Sequence, residues 1–237
     1  MVPLDAPHKQ RVVVVAPHSD DECLGAGGTI AMLAGHGAEV TVVTIAADLP
    51  PLYPAGTKEK VEAEALRAHG VLGVHDSVFL DFPAVDLPQQ STAAINRGVQ
   101  DVVDSVRPTM VFLPFPDRHV DHKIAFDAGM VASRPVRAGK NIALVALYET
   151  ISETFWNAPG AEPNFVPSWT VDITETIDQK IAAFEQFESQ ISPFPGPRSA
   201  EALRALALFR GSQSSVGYGE SFQIARATFS PVDLLSV

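Results

Sequence analysis

Cysteine is almost absent: the 237 residues contain one, Cys23. A single thiol leaves no internal disulfide and no cysteine-rich metal motif, and nothing basic follows Cys23 closely enough to activate it, so it reads as a small buried side chain. Basic residues are also scarce. Seventeen lysines and arginines stand against 28 acids, a net charge of −11, and the chain shows no basic patch of the kind that nucleic acid or an anionic membrane surface attracts. No stretch approaches the ~20 uninterrupted apolar residues of a membrane span, and residues 1–10 lack the charged region and apolar run of a secretory leader. The expectation is a cytoplasmic protein with no membrane insertion and no nucleic-acid partner. Its acidity suits a small neutral or cationic substrate, and homo-oligomer formation is left open.

The chain is long enough for one sizeable α/β domain and a little short for two, so a single domain over 1–237 is expected, with 1–10 flexible. Runs of β-branched and apolar residues at 11–16, 39–46, 77–82, 109–114, 141–149 and 169–173 read as strands. Helical spacing over 23–37, 57–70, 91–106, 124–132 and 177–190 separates them. Strand, helix and strand in the first forty-odd residues make a βαβ unit with a right-handed crossover. Residues 191–237, rich in Pro, Gly and Ser, read as a C-terminal loop and helix extension, the helix at 199–210. The predicted fold class is α/β: a single-domain, Rossmann-like, doubly wound and mostly parallel sheet with helices on both faces.

Chemistry concentrates after two of these strands. Four consecutive valines lead into Pro17, His18, Ser19, Asp20, Asp21 and Glu22, and the run from Met110 leads into Asp117, Arg118, His119, Val120, Asp121 and His122. Ligands bind outside the carboxyl ends of strands in open α/β folds. One imidazole and three carboxylates at such an end imply a positive partner, because unpaired buried charge is expensive. His18 and Asp21 from one loop with His122 from the other, with or without His119, would give a divalent ion N,N,O ligands and open positions. That is a catalytic pattern, since structural zinc sites are usually closed and sulfur-rich.

The sequence Pro-His-Ser-Asp-Asp-Glu at 17–22, followed by Leu-Gly-Ala-Gly-Gly-Thr at 24–29, and His119-Val-Asp-His122 resemble the PIG-L/LmbE-like family of zinc-dependent N-deacetylases. Weaker landmarks lie at 79–82, 147–149, 171–174, Lys180, 189–190, 210–211 and 219–222. The resemblance implies a hydrolase that uses Zn²⁺, or another divalent metal, to remove the N-acetyl group from an N-acetylglucosamine-type amino sugar or related small molecule. It implies His18, Asp21 and His122 as metal ligands and Asp20 as general base. His119 would stabilise the oxyanion or protonate the leaving amine, and Asp121 would brace a ligand. Two departures stand out: Ser19 replaces a common proline, and Lys60-Val61 stands where the family often carries a substrate-binding arginine.

Several residues admit a plainer reading. Asp20 or Asp21 could cap the following helix, and Glu22 is expected to cap it or to support a ligand. His36 reads as a solvated helix end, His69 and His75 as flanking a turn, and His8 as part of a mobile terminus. Gly25, Gly27 and Gly28 do not match the dinucleotide spacing and are expected to let the helix approach the sheet. Asp48 and Asp81, at strand ends, line the pocket or cap turns. The loop at 48–56 and the segment at 152–168, with Phe155, Trp156, Asn164, Phe165 and the following Trp169, are the expected substrate walls, with Trp156 a candidate sugar contact. The alternatives are a metal-dependent amidase or esterase on a non-sugar substrate, a non-catalytic metal- or sugar-binding module, and a nucleotide-cofactor oxidoreductase that would leave His119 and His122 unused.

Overall fold

The computed structural model describes residues 10–228. One seven-stranded sheet runs in the order β3-β2-β1-β4-β5-β7-β6. Its strands are β1 (Arg11–Ala16), β2 (Glu39–Ala47), β3 (Asp76–Pro83), β4 (Met110–Pro114), β5 (Leu144–Tyr148), β6 (Trp169–Asp172) and β7 (Gly219–Ala227). The first five pair in parallel, whereas β7 is antiparallel to both β5 and β6. The helices are α1 (Asp21–Gly35), α2 (Thr57–Leu72), α3 (Thr92–Val106), α4 (Val120–Ala132), α5 (Ile177–Phe184) and α6 (Ala200–Ser212).

The valine run of β1 explains why both faces are covered. Side chains alternate across a strand, so Val12 and Val14 join a core with α1, α2, α5 and α6, while Val13 and Val15 join another with α3 and α4. β1 leads to β2 on one side, and its other neighbour is β4. Their adjacent carboxyl ends form the crevice where strand order reverses. The two sequence clusters follow β1 and β4, so chain topology alone brings them together.

The expected C-terminal helix is present as α6, but the extension also contains a strand not expected from the sequence, the interior strand β7. Its alternation is weak, running from Gly219 through Glu220 and Ser221 before Phe222. Glu220 explains the polar start: it accepts from the backbone N–H groups of Gly28 and Thr29 in α1, at 2.9 and 2.7 Å, and pairs with the buried Lys180 at 2.6 Å. Other boundaries shift modestly. The helix expected at 177–190 ends at Phe184, that at 124–132 begins at Val120, and a 3₁₀ turn (Arg137–Asn141) takes the start of the fifth predicted strand. Residues 1–9, including His8, lie outside the described residues. No helix among the described residues is long and apolar enough to cross a membrane.

Candidate metal and catalytic site

The first loop is shaped by close packing and local strain. A Cβ at Gly25 would collide with the Tyr148 ring, so glycine lets the first turn of α1 lie against the end of β5. Tyr148 is held in turn by its hydroxyl, which donates to Val15 O at 2.8 Å. Asp20, immediately before α1, has φ 144°, a conformation that non-glycine residues rarely adopt. The twist separates the neighbouring acids: Asp21 joins an imidazole cluster, while Asp20 lines the adjoining cavity. Asp20 makes no side-chain cap on α1. It is 1% exposed, and neither carboxylate oxygen has a hydrogen-bond partner.

Asp21 Oδ2 stands 3.2 Å from His18 Nδ1 and 3.3 Å from His122 Nε2. Donors about 2.0–2.1 Å from a tetrahedral ion are separated by roughly 3.3 Å, so these spacings match the edges of a coordination polyhedron. The outer nitrogens are anchored as ligating histidines require. His18 Nε2 lies 2.9 Å from Asp121 Oδ2, and His122 Nδ1 lies 3.0 Å from Asp117 Oδ2. Asp121 Oδ2 also accepts from Val85 N at 2.6 Å, and Asp117 accepts from Thr154 Oγ1 and His119 N, each at 3.0 Å. The buried Oδ1 of Asp21 has no partner. This donor set fits a divalent metal ion. His119 also stands close: one donor atom each from His18, His119 and His122 lie within 4.8 Å of one another.

Electrostatics follow from this crowding. Burial opposes charge on His18, but hydrogen bonds with Asp121 and Asp21 outweigh it and raise the pKa to about 9. Burial likewise opposes charge on His122, which Asp21 and Asp117 raise to about 10. Asp21 is held well below the carboxylate range despite burial, by the same imidazoles. Asp20 is pushed up to about 7 by burial, with Arg198 acting the other way. His119 falls to about 4 through burial and the positive charges of His18 and His122. In the metal-free protein its ring is therefore uncharged at neutral pH. Its Nδ1 accepts from Asp121 N at 3.2 Å, which leaves the proton on Nε2 as a hydrogen-bond donor.

Around this centre lies a cavity of about 160 Å³, whose walls include Asp48, Tyr53, Lys58, Val61, Glu62, Phe79, Val85, Gln190 and Arg198. Asp48 is where the sequence placed it. Asp81 is not among the lining residues; it pairs with Lys58 at 2.8 Å. Trp156, also expected at the site, is 56% exposed and outside the cavity, and Phe165 packs edge-on against Phe115. Of the Lys60-Val61 departure, Val61 lines the cavity while Lys60 reaches toward Glu64 at 3.9 Å. Glu22 braces the loop by accepting from Asp20 N at 3.2 Å, and its other oxygen meets His69 Nε2 at 3.2 Å. His69, which with His75 flanks the turn between α2 and β3, is accordingly buried, and His36 is an exposed helix end as read. Sequence reasoning gave no role to Arg198, which stands 3.4 Å from Asp20. An arginine after a Pro-Gly-Pro turn carries no local mark of function.

Known proteins resemble this chain in sequence and in fold. The family described as PIG-L: GlcNAc-PI de-N-acetylase matches residues 13–133, which span both clusters. The diacetylchitobiose deacetylase of Thermococcus kodakarensis is 26% identical over 239 residues, covering 93% of this chain and 85% of that protein. The 1D-myo-inositol 2-acetamido-2-deoxy-alpha-D-glucopyranoside deacetylase of Rhodococcus erythropolis is 27% identical over 221 residues, covering 79% and 70%. Among solved structures, N,N'-diacetylchitobiose deacetylase from Pyrococcus horikoshii superposes with a TM-score of 0.72 at 24% identity, over 95% of this chain and 88% of that one, which establishes the common fold.

Proposed function

The chain belongs to the PIG-L de-N-acetylase family, and on that premise we propose that it is a zinc-dependent hydrolase that removes the N-acetyl group from an N-acetylglucosamine-type amino sugar. His18 through Nδ1, Asp21 through Oδ2 and His122 through Nε2 are the proposed ligands. The observation that carries the reading is the pair of 3.2 and 3.3 Å spacings about Asp21 Oδ2, beside a buried Asp20 whose oxygens are free. A zinc ion held there supplies Lewis acidity, which activates water and polarises the amide carbonyl.

The chain's own residues do the rest. Asp20 takes a proton from the attacking water as the new C–O bond forms; an environment that brings its pKa to about 7 suits a base working near neutrality. His119 Nε2–H donates a hydrogen bond to the developing oxyanion. The proton taken by Asp20 returns to the nitrogen as the C–N bond breaks, and acetate and the free amine leave. Asp117 and Asp121 fix the outer nitrogens of His122 and His18, and Glu22 holds the backbone of Asp20. The names of the two deacetylase relatives, both acting on N-acetylated amino sugars, support that substrate class, and the polar side chains in the cavity wall, Asp48, Glu62, Gln190 and Arg198 among them, suit a sugar's hydroxyl groups.

The test is a panel of N-acetylated sugars, sugar lipids and pseudosaccharides with zinc-loaded and chelated protein, with amine and acetate both measured. Equal release by the two products in the loaded protein alone supports the reading. Turnover that survives chelation refutes the metal dependence, and cleavage of esters without any amide turnover moves the assignment to an esterase.

A further inference from the structure

Asp20, Asp21 and Glu22 are consecutive acids, none more than 1% exposed. Such a density of buried negative charge persists only against counter-charges. Each acid has a different partner, and the partner separates their behaviour. Asp21 faces His18 and His122, and Glu22 faces His69. Asp20 faces Arg198, whose Nη2 stands 3.4 Å from Oδ2.

The guanidinium is itself fixed. Its Nε donates to Ser152 Oγ at 3.2 Å and its Nη1 to Gln190 Oε1 at 2.7 Å. Ser192 N donates to Arg198 O at 2.9 Å, closing the turn that delivers the side chain to the cavity wall. The 3.4 Å approach to Asp20 is longer than the ~2.7–2.9 Å of a charge-assisted hydrogen bond. The positive charge therefore orients the carboxylate without occupying its lone pairs. An unoccupied lone pair is what a base must keep.

We propose that Arg198 is the positioning residue for Asp20: a guanidinium tethered at two corners holds the base toward the substrate and away from the imidazole cluster. The proposal rests on the deacetylase reading of the site, and it makes the turn after α5 part of that site. Only a planar fork reaches Ser152, Gln190 and Asp20 together, so lysine reproduces the charge but not the tethering.

Arg198→Met is expected to lower kcat about tenfold to a hundredfold, the effect of a misplaced catalytic group, with KM and bound zinc unchanged. Arg198→Lys should recover part of the loss. A rise in KM with kcat intact would make Arg198 a substrate contact, and loss of zinc would make its role structural; either overturns the proposal. A second measurement needs no turnover: urea unfolding of the full-length wild type, Arg198→Met, Asp20→Asn and the double variant. Arg198→Met should lower the midpoint, and adding Asp20→Asn should restore part of it, because no stranded carboxylate remains. Strictly additive shifts would overturn the pairing. A wild type that releases no amine counts against the deacetylase reading alone, and this unfolding cycle still decides the role of Arg198.

Discussion

Replacing Asp117 by asparagine changes one oxygen of a buried side chain into nitrogen, and the structure dictates which one. Asp117 Oδ1 accepts from the backbone N–H of His119 at 3.0 Å, and Oδ2 receives His122 Nδ1 and Thr154 Oγ1, both at 3.0 Å. A backbone N–H cannot become an acceptor, so the asparagine oxygen must stay toward His119 and its NH₂ must face His122. Thr154 can rotate its hydroxyl to accept. His122 cannot adapt so easily: it would have to accept at Nδ1 and carry its proton on Nε2, the nitrogen proposed to bind zinc. Loss of a partner that orients a metal-binding histidine typically weakens metal affinity by about 10–100-fold, or about 1.4–2.7 kcal/mol. Asn and Asp have nearly the same shape, so the packing of the loop should survive. Zinc affinity measured by competition with a chromophoric chelator, with the unfolding midpoint of the metal-free protein as a control for folding, reads the effect directly. An Asp117→Asn protein that folds normally and binds zinc within twofold of the wild type would falsify the tautomer argument and the assignment of His122 Nε2.

Asp20→Asn should retain zinc while kcat falls by roughly 10²–10⁴, the span for a lost general base; zinc loss measured by metal analysis would instead make Asp20 a ligand. His119→Ala should lower kcat and kcat/KM together with little change in KM, as expected for a contact made in the transition state. Because His119 Nδ1 accepts from Asp121 N and its role is that of a hydrogen-bond donor through Nε2, the alkaline limb of the pH–rate profile should not move in that variant, and its disappearance would restore the acid role. His18 and His122 have raised folded pKa values, about 9 and about 10. The stability they contribute to the metal-free protein is fully present below the unfolded value near ~6.5 and is lost as pH rises through those folded values. Zinc must displace the same protons, so binding at pH 7 should release about two of them and tighten as pH rises. Calorimetry in buffers of different ionisation enthalpy measures the release, and a value near zero contradicts the protonated apo site.

The elements legible in the sequence were those whose local pattern and final environment agree. The valines of β1 are buried on both faces, and the strand reads as a near-continuous apolar run for that reason. The metal loops were legible because imidazoles and carboxylates rarely crowd the end of such a run without purpose. β7 was missed because Gly219, Glu220 and Ser221 answer to long-range partners: Glu220 to α1 and Lys180, and Ser221 to Thr170. No window of sequence contains both ends of those bonds. The same limit hid Arg198 and the Glu22 partner of His69, each defined by a residue distant in sequence, whereas Asp117 meets His119 and His122 within five positions. Trp156, an aromatic residue in a loop of the kind that suggests a sugar platform, is exposed and outside the cavity lining.

The bond between Glu220 and Gly28 joins residues 192 positions apart. Closing a loop of that length costs conformational entropy that no local contact offsets, and such non-local pairings form slowly. During synthesis, the segment from His18 to Glu22 is made long before Glu220, so this contact can form only after the intervening residues are made. A chain stalled before residue 219 already carries all three proposed metal ligands, yet it lacks the carboxylate that binds the backbone of the helix presenting Asp21. The helix that presents Asp21 is thereby tied to completion of the sheet by β7.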